Sequence, residues 1–125
     1  MAAPHVLVVD DDPPILDFIR DALESEGYGV ATAGSAPEAF ERIAERPPAL
    51  ILLDLQLPGT DGWEIFNRVR ALGLAVPVVL ATVVTSARAQ AERLGFDAFL
   101  AKPFSLDELL AVVGRLAPPA AGEMA

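Results

Sequence analysis

The chain has 125 residues, 53% of them apolar and 22% charged, and its 18 acidic against 9 basic residues give a net charge of −9. That length fits one domain, which at this size buries roughly 68% of its unfolded surface and holds a core without cross-links. The lack of cysteine excludes disulfides, thiolate metal sites and a cysteine nucleophile. Eight Arg and one Lys against that acidic excess give no general attraction for nucleic acid or anionic membrane. The longest apolar stretch, Ala75 to Val84, is interrupted by Pro77 and Thr82 and falls far short of the ~20 residues that span a bilayer. No charged N-terminal region leads into an apolar segment, so no signal peptide is expected and a cytoplasmic location is.

His5 to Val9 is a β-branched run closed by Asp10, Asp11, Asp12 and two prolines, and it reads as a strand buried on both faces. Ile15, Phe18, Ile19, Ala22 and Leu23 then mark one apolar helix face, with Pro13 and Pro14 at its start and Gly27 and Gly29 at its end. Val30 to Ala33 is the second strand. Ser35 and Glu38 form a capping box for a helix carrying Ala39, Phe40 and Ile43, which stops at Pro47-Pro48. Ala49 to Leu53 is the third strand, with Asp54 behind it, and Pro58 to Gly62 is a loop by composition. Trp63, Phe66, Val69 and Arg70 lie at helical spacing, widened by Ile65 and Leu72. Val76 to Ala81 is the fourth strand, Ala87 to Leu94 a short Ala- and Arg-rich helix, and Ala98 to Ala101 the fifth strand. Ser105 and Glu108 form a second capping box before Leu106, Leu109, Leu110 and Val113. Strands alternating with helices of this length predict an α/β domain, a parallel sheet covered on both faces and doubly wound by right-handed crossovers. Residues 1–116 form that domain, and Ala117 to Ala125 is read as a flexible tail or the start of a linker.

The polar residues fall at strand ends. Asp10, Asp11 and Asp12 follow the first strand, Asp54 the third, Thr82 the fourth and Lys102 the fifth. In a parallel sheet these ends share one edge, where open α/β sheets bind ligands. With the first and third strands as neighbours, Asp10, Asp11 and Asp54 converge. Carboxylates gathered so closely need a compensating cation. Lys102 and a divalent metal are the available compensators, and an all-oxygen site suits Mg²⁺, with Mn²⁺ or Ca²⁺ as alternatives. Such a site suits phosphoryl transfer onto a carboxylate, by positioning and charge stabilisation. Read singly, the Asp run would be a solvated turn at a helix start and Asp54 a loop-opening residue. Lys102, the chain's one lysine, is a compact ammonium in a chain that otherwise uses Arg.

Four segments in order, Val8-Val9-Asp10-Asp11-Asp12-Pro13, Leu52 to Gly62, Pro77 to Thr82 and Lys102-Pro103-Phe104, resemble the receiver domain of two-component response regulators. The resemblance covers Val6 to Leu116. It implies a flavodoxin-like fold with five parallel strands in the order 2-1-3-4-5 and five helices. It implies that Asp54 takes a phosphoryl group from a phosphohistidine on a sensor histidine kinase or histidine phosphotransfer protein. Asp10, Asp11, Asp54 and the backbone carbonyl of Gln56 would hold Mg²⁺, or Mn²⁺ in its place. Lys102 would pair with the phosphoryl group and Thr82 would hydrogen-bond it. Phe99 occupies the family's aromatic switch position, and the Lys102-Pro103 peptide is expected to be cis. The surface around the fourth helix, fifth strand and fifth helix would then change towards a downstream protein target. The chain would phosphorylate and dephosphorylate itself without being an enzyme that releases a product.

Two departures set the chain apart from the family pattern. Val83 stands where a small residue is usual, beside the phosphoryl pocket. Thr82 and Lys102 are 20 positions apart, about two fewer than usual, and the missing residues fall before Gly95. Both motivate an alternative reading, a phosphorylation-independent interaction module on the same fold. An aspartate-nucleophile phosphatase is disfavoured because Asp10-Asp11-Asp12-Pro13-Pro14 does not supply Asp-x-Asp-x-Thr, and a dinucleotide site because no Gly-x-Gly-x-x-Gly follows the first strand. His5 and Trp63 read as structural, and Arg88 and Arg93 as a solvated helix face.

Overall fold

A computed structural model describes residues 4–118. Strand β1 (His5–Val9) lies between β2 (Gly29–Ala33) and β3 (Leu50–Leu53), and β3 continues to β4 (Val78–Thr82) and β5 (Ala98–Ala101). Every pairing is parallel, and the order is 2-1-3-4-5. The helices are α1 (Pro13–Glu24), α2 (Ala36–Glu45), α3 (Gly62–Ala71), α4 (Arg88–Leu94) and α5 (Leu106–Leu116). This is the doubly wound, five-stranded, five-helix arrangement that the sequence predicts.

The central strands are apolar without alternation because both of their faces are buried. Leu7, Val9, Ile51, Leu53, Val78 and Leu80 point to one side, where Ala39 and Ile43 of α2, Ile65, Phe66 and Val69 of α3 and Ala91 of α4 close over them. Val6, Val8, Leu50, Leu52, Val79 and Ala81 point to the other, beneath Ile19 and Leu23 of α1 and Leu109 and Val113 of α5. Each of the larger side chains gains roughly 1.5–3 kcal/mol from leaving water, offset by the entropy of ordering it. Phe96 stacks on Phe66 at 3.9 Å and meets Trp63 edge-on at 5.7 Å, which ties the turn after α4 to α3.

Several boundaries and faces differ from the sequence reading. α1 ends at Glu24 with Ser25 as its cap; Gly29 does not terminate it but opens β2 opposite His5. β3 and β4 start one and two residues later than expected, and β4 includes Thr82. Of the expected loop Pro58 to Gly62, Gly62 instead opens α3, and Thr60–Asp61 pairs with Gln56–Leu57 in a two-residue antiparallel ladder. Its turn is Pro58-Gly59, with Gly59 at φ 76°, a left-handed conformation that glycine adopts without strain. Phe18, Leu72 and Leu106 repeat at helical spacing yet stay exposed, because each sits at the edge of its helix face or at a helix end. Glu38 bonds Gly34 N–H rather than the Ser35 N–H of a full capping box, whereas the Ser105–Glu108 box is complete. Asp61 caps α3 by accepting from Glu64 N–H. A 3₁₀ turn (Thr85–Ala87) precedes the seven-residue α4.

Of the segment read as a tail, residues 119–125 lie outside the described residues. Ala117 is buried, and its carbonyl accepts the Tyr28 hydroxyl at 2.7 Å. No helix among the described residues is long and apolar enough to cross a membrane.

His5 sits at the foot of β1 with its Nδ1 buried and without a hydrogen bond. Burial, helped by the Arg46 charge, holds its imidazole below the ordinary value of 6.5. The unfolded chain therefore takes up a proton at a higher pH than the folded chain does. Stability is full above about 6.5 and declines as pH falls below it towards the folded value. The expected result is a melting temperature that drops between pH 7 and pH 5.5, with a smaller drop in His5→Leu. An identical decline in the variant would rule out His5 as its source.

Candidate functional site

Hydrogen bonds continuing the sheet past its strands build the site. Asp10 N–H donates to Ala33 O at 3.0 Å, Asp54 N–H to Val9 O at 2.9 Å and Lys102 N–H to Thr82 O at 3.0 Å. Each first residue beyond a strand is thereby held in register with its neighbour, so the three side chains emerge together at the C-terminal edge.

Asp10 and Asp54 use their oxygens in the same way. Oδ1 of Asp10 accepts from Asp12 N–H at 3.0 Å, and Oδ1 of Asp54 accepts from Gln56 N–H at 3.2 Å. Oδ2 of each accepts from the Lys102 ammonium, at 2.5 Å and 3.1 Å. Asp10 and Asp54 are buried, 3% and 8% exposed, and Asp11 stands exposed beside them. One oxygen from each of Asp10, Asp11 and Asp54 lies within 4.8 Å of the others. Burial alone would lower the Lys102 pKa, but the hydrogen bonds and charges of Asp10 and Asp54 together outweigh it and raise the ammonium above its ordinary 10.5. Lys102 is thus a fixed cation. Three carboxylates against one ammonium leave a formal charge of −2, which one divalent ion balances. The oxygen-only donor set fits Mg²⁺.

The cavity over these groups holds about 290 Å³ and is lined by Asp10, Asp11, Asp12, Ile15, Asp54, Gln56, Val83 and Lys102. Val83 is 59% exposed, at the rim of the cavity. Thr82 is fully buried at the end of β4, and its hydroxyl accepts from Val84 N–H at 3.2 Å. Phe99 lies one strand away, opposite Leu80, half-buried with the Arg88 guanidinium 5.7 Å above its ring. The Lys102–Pro103 peptide is cis. The structure therefore gathers Asp10, Asp11, Asp54, Gln56 and Lys102, while Thr82 is buried at the end of β4, Phe99 lies on β5, and neither lines the cavity over that group.

The sequence reading missed two features. An apolar groove of about 390 Å³ adjoins the site, lined by Pro14, Ile15, Phe18, Val83, Lys102, Pro103 and Phe104. The spacing of Pro14 and Phe18, one helical turn apart on α1, was its available signal. The other feature is the close seating of Gly62 on the Asp54 main chain.

The response regulator receiver domain family matches residues 6–114. The chain belongs to this family. Response regulator Rre1 of Synechocystis sp. is 38% identical over 122 residues, 93% of this chain and 53% of that protein. The chain thus spans about half the length of this curated relative. The receiver domain of NtrX from Brucella abortus superposes with a TM-score of 0.82 at 33% identity, covering 90% of this chain and 97% of that one. Response regulator TrrA of Thermotoga maritima, solved in complex with Mg²⁺ and BeF, superposes with a TM-score of 0.82 at 30% identity, covering 90% and 98%. This chain is accordingly a two-component receiver domain, a signalling module with an acidic cluster that fits Mg²⁺.

Proposed function

We propose that Asp54 of this receiver accepts a phosphoryl group from a phosphohistidine on a sensor kinase or histidine phosphotransfer protein. The observation that carries the reading is the convergence of Asp10, Asp11 and Asp54 with Lys102 bridging Asp10 and Asp54. A carboxylate oxygen of Asp54 attacks the phosphorus. The P–N bond breaks, its electron pair stays on the donor imidazole nitrogen, and that nitrogen is reprotonated from water. Mg²⁺, which Asp10, Asp11, Asp54 and the Gln56 carbonyl would hold (or Mn²⁺ in its place), supplies charge neutralisation for the transferring phosphoryl oxygens. The Lys102 ammonium turns from its carboxylate partners to a phosphoryl oxygen and stabilises the charge there.

Thr82 exchanges its Val84 N–H partner for a phosphoryl oxygen, to which its hydroxyl donates. The segment from Val84 into α4 moves with it, Phe99 repacks, and the face formed by α4, β5 and α5 changes towards a protein target. The groove beside Asp54 suits a donor that brings its histidine on an apolar helix. Exposed Phe18 and Val83 and the Phe104 ring, 6.5 Å from Phe18, offer that helix a dry surface. The rim position of Val83 supports phosphoryl access over a phosphorylation-independent role. The chain catalyses only its own phosphorylation and dephosphorylation, and no direct nucleic-acid or membrane contact is part of the reading.

The test is intact mass after incubation with acetyl phosphate and Mg²⁺. The expected result is a gain of one phosphoryl group that disappears when Mg²⁺ is removed. No gain, together with no beryllofluoride binding, overturns the reading.

A further inference from the structure

The structure assigns Gly62, at the start of α3, as a positioning residue for the phosphoryl acceptor, an inference that rests on Asp54 being that acceptor. Gly62 is buried, and its N–H donates to Leu55 O at 2.7 Å. A Cβ at this position would stand 2.6 Å from Asp54 O, 2.9 Å from Leu55 Cα and 3.2 Å from the Asp54 carbonyl carbon. All three are main-chain atoms, so no side-chain rotation relieves the overlap. By contrast, a Cβ at Gly59, Gly73, Gly95 or Gly114 meets nothing within 4 Å. At Gly29 it would meet the His5 imidazole at 3.3 Å, and at Gly34 a Glu38 carboxylate oxygen at 3.4 Å. Gly62 is the glycine at which α3 rests directly on the peptide of Asp54.

Neither partner can withdraw freely. α3 is pinned by buried Ile65, Phe66 and Val69. The Asp54–Leu55 peptide is held on one side by the Asp54 N–H on Val9 O and on the other by the Gly62 N–H on Leu55 O, and Gln56 is paired with Asp61 in the short ladder that leads into Gly62. A methyl group at position 62 must therefore displace the Asp54–Leu55 peptide. Asp54 then shifts relative to Lys102 and Gln56 N–H, and the Gln56 carbonyl shifts with it. Misplacement by about 1 Å at a reacting group costs on the order of 10²-fold in rate.

The experiment compares Gly62→Ala with its parent, both carrying Gly114→Ala. That second change sits in a helix with open space around its Cβ and adds stability. Circular dichroism first establishes a temperature at which both chains are fully folded. Acetyl phosphate uptake at saturating Mg²⁺ and ¹⁹F NMR of bound beryllofluoride are then read per folded molecule. The expected result is uptake at least tenfold slower in Gly62→Ala, with weaker beryllofluoride binding and a shifted ¹⁹F signal. Uptake within twofold of the parent and an unchanged ¹⁹F signal would overturn the positioning role. A Gly62→Ala chain that does not fold in this background also overturns it, in favour of a purely structural role. A parent that neither takes up phosphoryl groups nor binds beryllofluoride would instead overturn the reading of Asp54 on which the inference rests.

Discussion

Asp54→Asn is expected to abolish phosphoryl uptake from acetyl phosphate while leaving the fold intact. The amide has no anionic oxygen to form the acyl phosphate, so the expected loss is complete within detection. Its carbonyl oxygen can still accept the Gln56 N–H, which the native Oδ1 does at 3.2 Å. The substitution also removes one of three carboxylates whose oxygens lie within 4.8 Å of one another. Lys102 offsets only part of that charge, and the formal −2 that remains destabilises the fold unless a further cation intervenes. In Mg²⁺-free buffer the variant should therefore melt at or above the temperature of the native chain, and Mg²⁺ should raise its melting temperature less. Differential scanning calorimetry with and without Mg²⁺, alongside intact mass, measures both effects. Label appearing on the residue-54 peptide of the variant would rule Asp54 out as the acceptor.

The second large effect is expected at Lys102. Its ammonium holds Asp10 at 2.5 Å and Asp54 at 3.1 Å, and the side chain is only 10% exposed. Lys102→Gln leaves two buried carboxylates without their counter-charge. Removing one partner of a buried pair costs roughly 3–5 kcal/mol, and this site's mouth is open to water, so the lower figure applies. The native chain should thus be more stable than the variant in Mg²⁺-free buffer, and added Mg²⁺ should recover part of the difference. Phosphoryl uptake should slow by about 10²–10³-fold, the usual cost of removing a donor aimed at developing negative charge. Chemical denaturation and initial rates of uptake check the two parts separately. A Lys102→Gln chain that takes up phosphoryl groups at the native rate would confine Lys102 to a structural role.

These expectations rest on residues that local pattern makes visible. Unbroken apolar runs such as Leu50 to Leu53 announce strands buried on both faces, and the helices between them are marked by turn-spaced Ile19 and Leu23 or Leu109 and Val113. A parallel sheet puts all its C-terminal ends on one edge, so the chain positions of Asp10, Asp54 and Lys102 already place them on that edge, and the strand order that the family resemblance implies brings them together. Short-range chemistry was legible too: the Ser105–Glu108 capping box is a contact over three residues and forms as expected. The Ser35–Glu38 pair shows the limit of such pattern, because Glu38 finds the Gly34 N–H instead.

What was not legible depends on contacts between residues far apart or on the packing of one backbone against another. Phe18 has the spacing of a core residue yet is 43% exposed at the edge of its helix face, where it lines an open groove whose other wall includes Phe104 from the opposite end of the chain. Ala117 looks like the start of a loose tail and is buried, because the Tyr28 hydroxyl 89 positions away donates to its carbonyl. Gly62 looks like a turn glycine and is a contact point, because the ladder from Gln56 to Asp61 folds α3 back onto the Asp54 peptide. Chain order and residue type therefore establish the layered sheet, its charged edge and the chemistry of that edge, since these follow from periodicity and from parallel topology. The distances that let Lys102 serve two carboxylates, the hydroxyl partner of Thr82 and the clearance at Gly62 arise only when the sheet is assembled. They are set by hydrogen bonds and close packing between segments that no local pattern connects.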